Sequence, residues 1–218
     1  MTTSTQIALI ALIVLLVATF IFFTYKPVPT ANNNPETNRI NEALNKMRRL
    51  FTERSYLTRM SNIEDMTGYN GAKVTAEKFM GNSDQLGRNF GNLYGSDKGN
   101  EFGNLMRNNH NGIVNVIKSS KQRKNVDQEY QELEKTNDQI VDFLTNTNQC
   151  LDPQLLKSFL NCQLAAFRKS VEHTLNDETI GSMASFDTYN KSAQDFIDYL
   201  EKQCWKDLTG NQTLRNPI

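Results

Sequence analysis

Apolar residues follow two patterns along this chain, one continuous and one periodic. The continuous pattern is the run at residues 7–25, which has no charged residue and in which thirteen of nineteen residues are Leu, Ile, Val or Phe. At a few tenths of a kcal/mol for each such residue, insertion of this run into a bilayer is favourable by roughly 6 kcal/mol. As a helix it would span roughly 28 Å, close to the ~30 Å hydrocarbon core. The run therefore predicts a single-pass transmembrane helix.

A cleaved signal peptide is the alternative interpretation of this run. Such a peptide carries basic residues before a shorter apolar stretch and ends at a cleavage site with small residues. Residues 1–6 contain no basic side chain, and the best cleavage site, after Ala31, has Pro29 at its −3 position. Both features favour a retained anchor. The basic residues Lys26 and Arg39 follow the run, and because such residues are kept on the cytoplasmic side, they favour a cytoplasmic C-terminal part.

The next segment, residues 26–35, has three prolines and three asparagines, which predicts an extended stalk with little to bury. Beyond it, apolar positions recur every three or four residues, the period of an amphipathic helix, and no stretch alternates as a strand does. The sequence therefore predicts an all-α fold. Its expected organisation is a short tail at 1–6, the anchor at 7–25, the stalk at 26–35, an antiparallel helical bundle at 36–208 and a flexible tail at 209–218.

The periodic pattern resolves into four or five long helices with additional short ones. We predict a helix at 36–64 ending in a turn at 67–71, then two short helices broken at 81–83 and stopped by Gly95. Ser96 is the expected N-cap of a third long helix that ends in the basic run 118–124. Asp152 and Pro153 form an N-cap and N1 pair, and a turn at Asn176 and Asp177 precedes a last helix at 178–206.

The clearest helical pattern is a seam with steps of four and three residues, typical of a bundle core. One member, Asn137, is polar. In an apolar seam such an amide can fix helix register through a partner, and the alternative is a contact with a ligand inside the bundle. The members of this seam are Val126, Tyr130, Leu133, Asn137, Ile140 and Leu144.

Composition and charge exclude several classes of function. The chain has 24 basic and 24 acidic residues, so we expect no nucleic-acid partner. The residues His110 and His173 are far from the three cysteines in sequence, and no CxxC motif or phosphate-binding glycine loop is present, so no metal, cofactor or catalytic residue is predicted. We therefore expect a protein that is not an enzyme.

The cysteines suggest one covalent link. A hairpin folded about Asn176 and Asp177 places Cys150 level with Cys204. A disulfide between them would stabilise the fold by about 4 kcal/mol if the geometry permits. The alternative is that Cys150, Cys162 and Cys204 are free thiols.

Several short motifs occur in a characteristic order and spacing, namely Leu50-Phe51, Thr58-Arg59, Asn82, Leu86-Gly87, Tyr94-Gly95, Gly99, Leu105-Met106, Ile140 and Phe143-Leu144. In these motifs the chain resembles a bacterial group of helical-bundle proteins of unknown function, some of them mislabelled acetylglutamate kinase. Similar membrane-anchored chains occur in large DNA viruses. The resemblance covers residues 50–208 and implies an all-α bundle and a viral membrane protein, without an established activity. Where the group would place histidines on its long helices, this chain has Arg54, Asn109 and Gln163.

Two functions remain open from the sequence. The first is a membrane-anchored bundle with a structural or protein-interaction role, in contact with the lipid bilayer and with unidentified proteins or a second copy of itself, in a host or virion membrane. The second is a tethered bundle that binds a small ligand or metal between its helices, with Arg59, Asn137 and Gln163 as inward polar groups.

Overall fold

A computed structural model of the protein describes residues 35–69 and 71–209. These residues form six α-helices and no strand, so the all-α prediction is confirmed for them. The predicted span at residues 7–25 lies outside the described residues. Within the described part of the chain, no helix combines the length and hydropathy needed to cross a bilayer. The helices are α1 (Pro35–Thr67), α2 (Ala72–Tyr94), α3 (Ser96–Lys121), α4 (Asp127–Thr147), α5 (Pro153–Leu175) and α6 (Thr179–Thr209).

The helices pack mainly as two hairpins, α2 with α3 and α5 with α6, and α4 lies against α3 and α5. Short turns set these pairings. Gly95, at φ +93°, is the only residue between α2 and α3, and this φ is readily adopted only by glycine. Asp177 adopts φ +58° in the turn before α6. The helix α1 joins the bundle through its side chains, because the Phe51 ring contacts those of Phe102 and Phe196.

Two clusters of buried apolar side chains form the core of the part of the chain that the structure describes. The larger cluster includes Leu44, Phe90 and Phe102, and the smaller one includes Phe79 and Val116. The α4 seam is buried as predicted from Tyr130 through Asn137 to Leu144, whereas its first predicted member, Val126, is the N-cap residue before the helix and is only partly buried. The helical period of the sequence therefore located the core face of this element correctly.

The prediction of two short helices broken at residues 81–83 is wrong, since α2 is continuous through this segment. Asn82 and Ser83 are of residue types that disfavour a helix interior, but here both are buried and bond to other parts of the chain. Asn82 donates to the Leu50 carbonyl over 2.8 Å, and Ser83 accepts from Arg54 over 3.1 Å. Tertiary hydrogen bonds thus stabilise a helix that local propensity disfavours.

The predicted helix ends differ in how they are capped. Asp152 is the N-cap of α5, and its carboxylate accepts hydrogen bonds from the backbone N–H groups of Gln154 and Leu155, as predicted. Ser96, in contrast, is the first residue of α3 and not its cap. Gly95 occupies the N-cap position, so no side chain caps this helix. A connection of one residue leaves no room for a separate capping serine.

Candidate functional site: a polar cavity inside the bundle

A cavity of about 60 Å³ lies between five of the helices, α1, α3, α4, α5 and α6. Most of its wall is apolar, as expected for the centre of a bundle. Six side chains add polar atoms to the wall, and each helix contributes at least one of them. These are Arg54 and Ser55 on α1, Asn109 on α3, Asn137 on α4, Gln163 on α5 and Tyr189 on α6.

Arg54 is the only charged residue that lines this cavity, and only 6% of its surface is exposed. Its Nη1 donates to the Ser83 hydroxyl at 3.1 Å, and its Nη2 donates to the Met106 carbonyl at 2.9 Å and to Asn109 Oδ1 at 2.8 Å. The guanidinium also lies 4.6 Å from the centre of the Phe79 ring. All of these partners are neutral, so the positive charge is solvated by dipoles and an aromatic face rather than by a carboxylate.

Burial lowers the pKa of Arg54 to about 10, with a smaller opposing effect from the nearby Tyr189 hydroxyl. The side chain is therefore still a cation at neutral pH. Among the described residues, no Asp or Glu forms an ion pair with it. An isolated buried charge is costly, and proteins ordinarily pair it or neutralise it.

The Arg54 contact fixes the orientation of the neighbouring amides. Because the guanidinium can only donate, Asn109 must turn its oxygen toward Arg54, which leaves its Nδ2 to donate to Asn137 Oδ1 at 3.0 Å. The remaining polar group of Asn137 is then its own Nδ2, a donor. The charge thus orders a chain of two amides whose far end carries N–H groups.

Gln163, on α5, adds a further donor to the cavity wall. Its Nε2 is buried and has no hydrogen-bond partner among the described residues. The residue as a whole is partly exposed, as are the lining residues Asn109, Leu164 and Tyr189. The wall therefore combines buried donors with partly exposed residues.

The structure brings together two of the three polar residues expected to point inward. Asn137 and Gln163 line the cavity, and Asn137 has the hydrogen-bonded partner that a register-fixing role requires. Arg59 does not line it; its guanidinium covers the Phe186 ring at 4.7 Å in a half-buried position. The positions highlighted by the resemblance, Arg54, Asn109 and Gln163, all line this one cavity.

The pattern of apolar positions does not by itself identify Arg54, although its place in the buried register of α1 is a signal. It falls three residues after Phe51 and seven after Met47, which are both buried. An arginine in the buried register of an amphipathic helix is unusual enough to suggest a partner inside the fold. Asn109 shares the buried register of Met106 and Ile113 in the same way.

The cysteines are free thiols in the structure, and the disulfide considered between Cys150 and Cys204 is not formed. The fold does bring the segment around Cys150 close to Cys204. The Nδ2 atom of Asn148, two residues before Cys150, lies 3.9 Å from the Cys204 sulfur. Cys204 is buried and points to this amide. Burial raises its pKa to about 12, so the thiol stays protonated.

In residues 35–69 and 71–209, no cluster of His, Cys, Asp or Glu is arranged to hold a metal ion. No protein-family model matches the chain, and neither a curated protein nor a solved structure shows significant similarity to it.

Proposed function

We propose that this protein is a single-pass, N-terminally anchored helical bundle that binds a small ligand between its helices. The cavity supports the ligand, because it places a buried cation and several polar groups from five helices around one space inside the bundle. Such convergence of polar groups inside an otherwise apolar wall is typical of a binding site. The uncharged run at residues 7–25 supports the anchor.

Ligand-observed NMR with a panel of polar compounds of two to four heavy atoms tests the binding function. We expect one or more compounds to bind the wild-type protein and to bind several-fold more weakly to Gln163→Leu, which removes the orphan donor with little change in volume. Gln154→Leu is the matched control, because it places the same substitution on an exposed position of the same helix. Equal binding to both variants, or no binding to the wild type, would contradict the proposal.

Extraction of membranes with alkaline carbonate tests the anchor. An integral protein stays in the membrane pellet under these conditions, and we expect the full chain to do so. A variant lacking residues 1–25 is the control and should appear in the supernatant. Release of the full chain would rule out an integral span.

A second candidate function is a structural or protein-interaction role, supported by an exposed apolar stripe on α1. Tyr56, Met60 and Ile63 are spaced as neighbours along one helix face, and their exposures are 54%, 46% and 37%. Photo-crosslinking from position 60 in the native membrane tests this role. Reproducible crosslinks to one protein, or to a second copy of the chain, would support it, and crosslinks to lipid or none at all would argue against it.

A further inference from the structure

The cavity wall carries several hydrogen-bond donors for which the described residues provide no acceptor. Three of the five N–H groups of Arg54 donate to protein atoms, and among the described residues no acceptor meets the other two. The buried Nε2 of Gln163 also lacks an acceptor. The ordered amide chain through Asn109 leaves a further donor on Asn137. A ligand that fits this site must therefore accept hydrogen bonds.

The charge of the site indicates a second property of the ligand. Arg54 is buried among neutral partners, so a negative charge placed against its free N–H groups would be held in an environment of low dielectric. The Phe79 ring already covers part of the guanidinium on one side. A carboxylate suits this site, because one of its oxygens can accept from a free N–H group of the guanidinium while the other accepts from a neighbouring amide of the cavity wall.

The volume of the cavity limits the size of the ligand. With ~10–15 Å³ for each water-sized position, 60 Å³ provides about four to six positions. A benzene ring needs a cavity of roughly 150 Å³, and ordinary organic ligands occupy ~300 Å³ or more. The cavity therefore suits a molecule of three or four heavy atoms.

We propose that this cavity binds a small monovalent carboxylate-type anion of three or four heavy atoms, held by the guanidinium of Arg54 and by the amides of Asn137 and Gln163. This inference rests on the ligand-binding function proposed above and names its ligand class. Four of the lining residues, Asn109, Gln163, Leu164 and Tyr189, are partly exposed, so solvent lies close to this part of the wall.

Titration of the full-length protein in detergent micelles with formate and with formamide tests the proposal. The two molecules have three heavy atoms and the same planar shape, but only formate is charged. Ionic strength is kept constant with sodium gluconate, which is too large for the cavity. By isothermal titration calorimetry and ¹³C NMR, we expect saturable formate binding at least tenfold tighter than formamide binding.

Two arginine variants on the same helix locate the site. Arg54→Met should weaken formate binding at least tenfold, and Arg59→Met, which removes a cation outside the cavity, should leave it unchanged. If circular dichroism shows that Arg54→Met does not fold, Gln163→Leu decides, with an expected loss of threefold or more. Unchanged formate binding in Arg54→Met, or in Gln163→Leu where Arg54→Met does not fold, would overturn the proposed site.

The outcomes separate the two proposals. Formamide binding as tight as formate binding would overturn the anion while leaving the ligand-binding function intact. Absence of binding by either probe, together with no hit from the wider panel of polar compounds, would overturn both. Preferential formate binding that depends on Arg54 but not on Arg59 would support both.

Discussion

His110 is a single buried side chain whose contribution to the free energy of unfolding depends on pH. It is 3% exposed, its Nδ1 has no hydrogen-bond partner among the described residues, and its ring lies 4.1 Å from that of Phe79. Burial, followed by the charges of Arg54 and Lys118, lowers the pKa of His110 to about 4. The folded protein therefore holds this histidine in the neutral form.

We expect this histidine to destabilise the fold in mild acid. Between about pH 6.5 and pH 4 the unfolded chain binds a proton at this position and the folded chain does not, so the free energy of unfolding falls as the pH falls. The loss should be on the order of 2 to 3 kcal/mol at pH 4 relative to His110→Phe. Urea unfolding of both proteins between pH 4 and pH 8 measures it. Parallel pH profiles would contradict the pKa shift.

The cysteines give a second prediction at this scale. Cys162 is exposed, whereas Cys204 is 1% exposed and its pKa is raised to about 12 by burial. Because the thiolate is the reactive form, we expect iodoacetamide at pH 7.5 to modify Cys162 of the folded protein at least a hundredfold faster than Cys204. Peptide mass spectrometry over time measures both rates. In urea without reductant, all three thiols should react; protection of Cys150 and Cys204 together would instead reveal a disulfide.

Single residues also show where sequence-based prediction reached and where it failed. The polar exception in the α4 seam identified Asn137 because the seam residues on either side of it, Leu133 and Ile140, are apolar. Arg54 lies in a helix rich in charged residues, where one more arginine does not break the pattern. Its lack of an acidic partner depends on which side chains the tertiary fold brings near it, and this information is absent from local periodicity.

At the scale of helices, the sequence predicted which face of a helix is buried better than whether a helix runs on without a break. The boundaries of α5 followed from Asp152, Pro153 and the turn at Asn176, because capping and turn chemistry are local. The continuity of α2 through Gly81 and Asn82 depends on contacts with α1, which are not local. Glycine in a helical segment can mark an interruption or a close helix contact, and the two have the same local signal.

Alanine substitutions in α2 test which of its glycines are needed for close packing against α3. A Cβ on Gly87 would lie 2.8 Å from both Gly103 Cα and the Gly99 carbonyl oxygen, whereas a Cβ on Gly81 would meet nothing within 4 Å. We therefore expect Gly87→Ala to lower the free energy of unfolding by about 1 to 3 kcal/mol through overpacking. Gly81→Ala should raise it by up to about 1 kcal/mol, because alanine favours the helix.

Urea unfolding of these two variants under identical conditions checks the difference in sign. The substitution is the same and both positions lie in α2, so a change in helix propensity alone would shift both in the same direction. Stabilisation by Gly87→Ala would show that the two helices can separate at little cost. Destabilisation by Gly81→Ala would place an unrecognised contact at that position.

At the scale of the whole molecule, the sequence predicts both a membrane anchor and the side on which the bundle lies. The basic residues Lys26 and Arg39 follow residues 7–25, and residues 1–6 contain no basic side chain. Retention of flanking positive charge on the cytoplasmic side predicts an exterior N-terminus and a cytoplasmic bundle. Two glycosylation sequons, at Asn190 and Asn211, provide an internal reporter, because only lumenal sequons are modified.

Translation of the chain in the presence of microsomes tests this topology. We expect the unmodified chain to gain no glycan, because Asn190 and Asn211 stay outside the lumen, and a sequon added on an N-terminal extension to be glycosylated. A C-terminal epitope tag should be lost to protease without detergent. A shift in mass that glycosidase reverses, and that Asn190→Gln with Asn211→Gln abolishes, would instead place the bundle in the lumen. That result would overturn the predicted orientation, and alkaline carbonate extraction would then show whether the run is a retained span or a cleaved signal peptide.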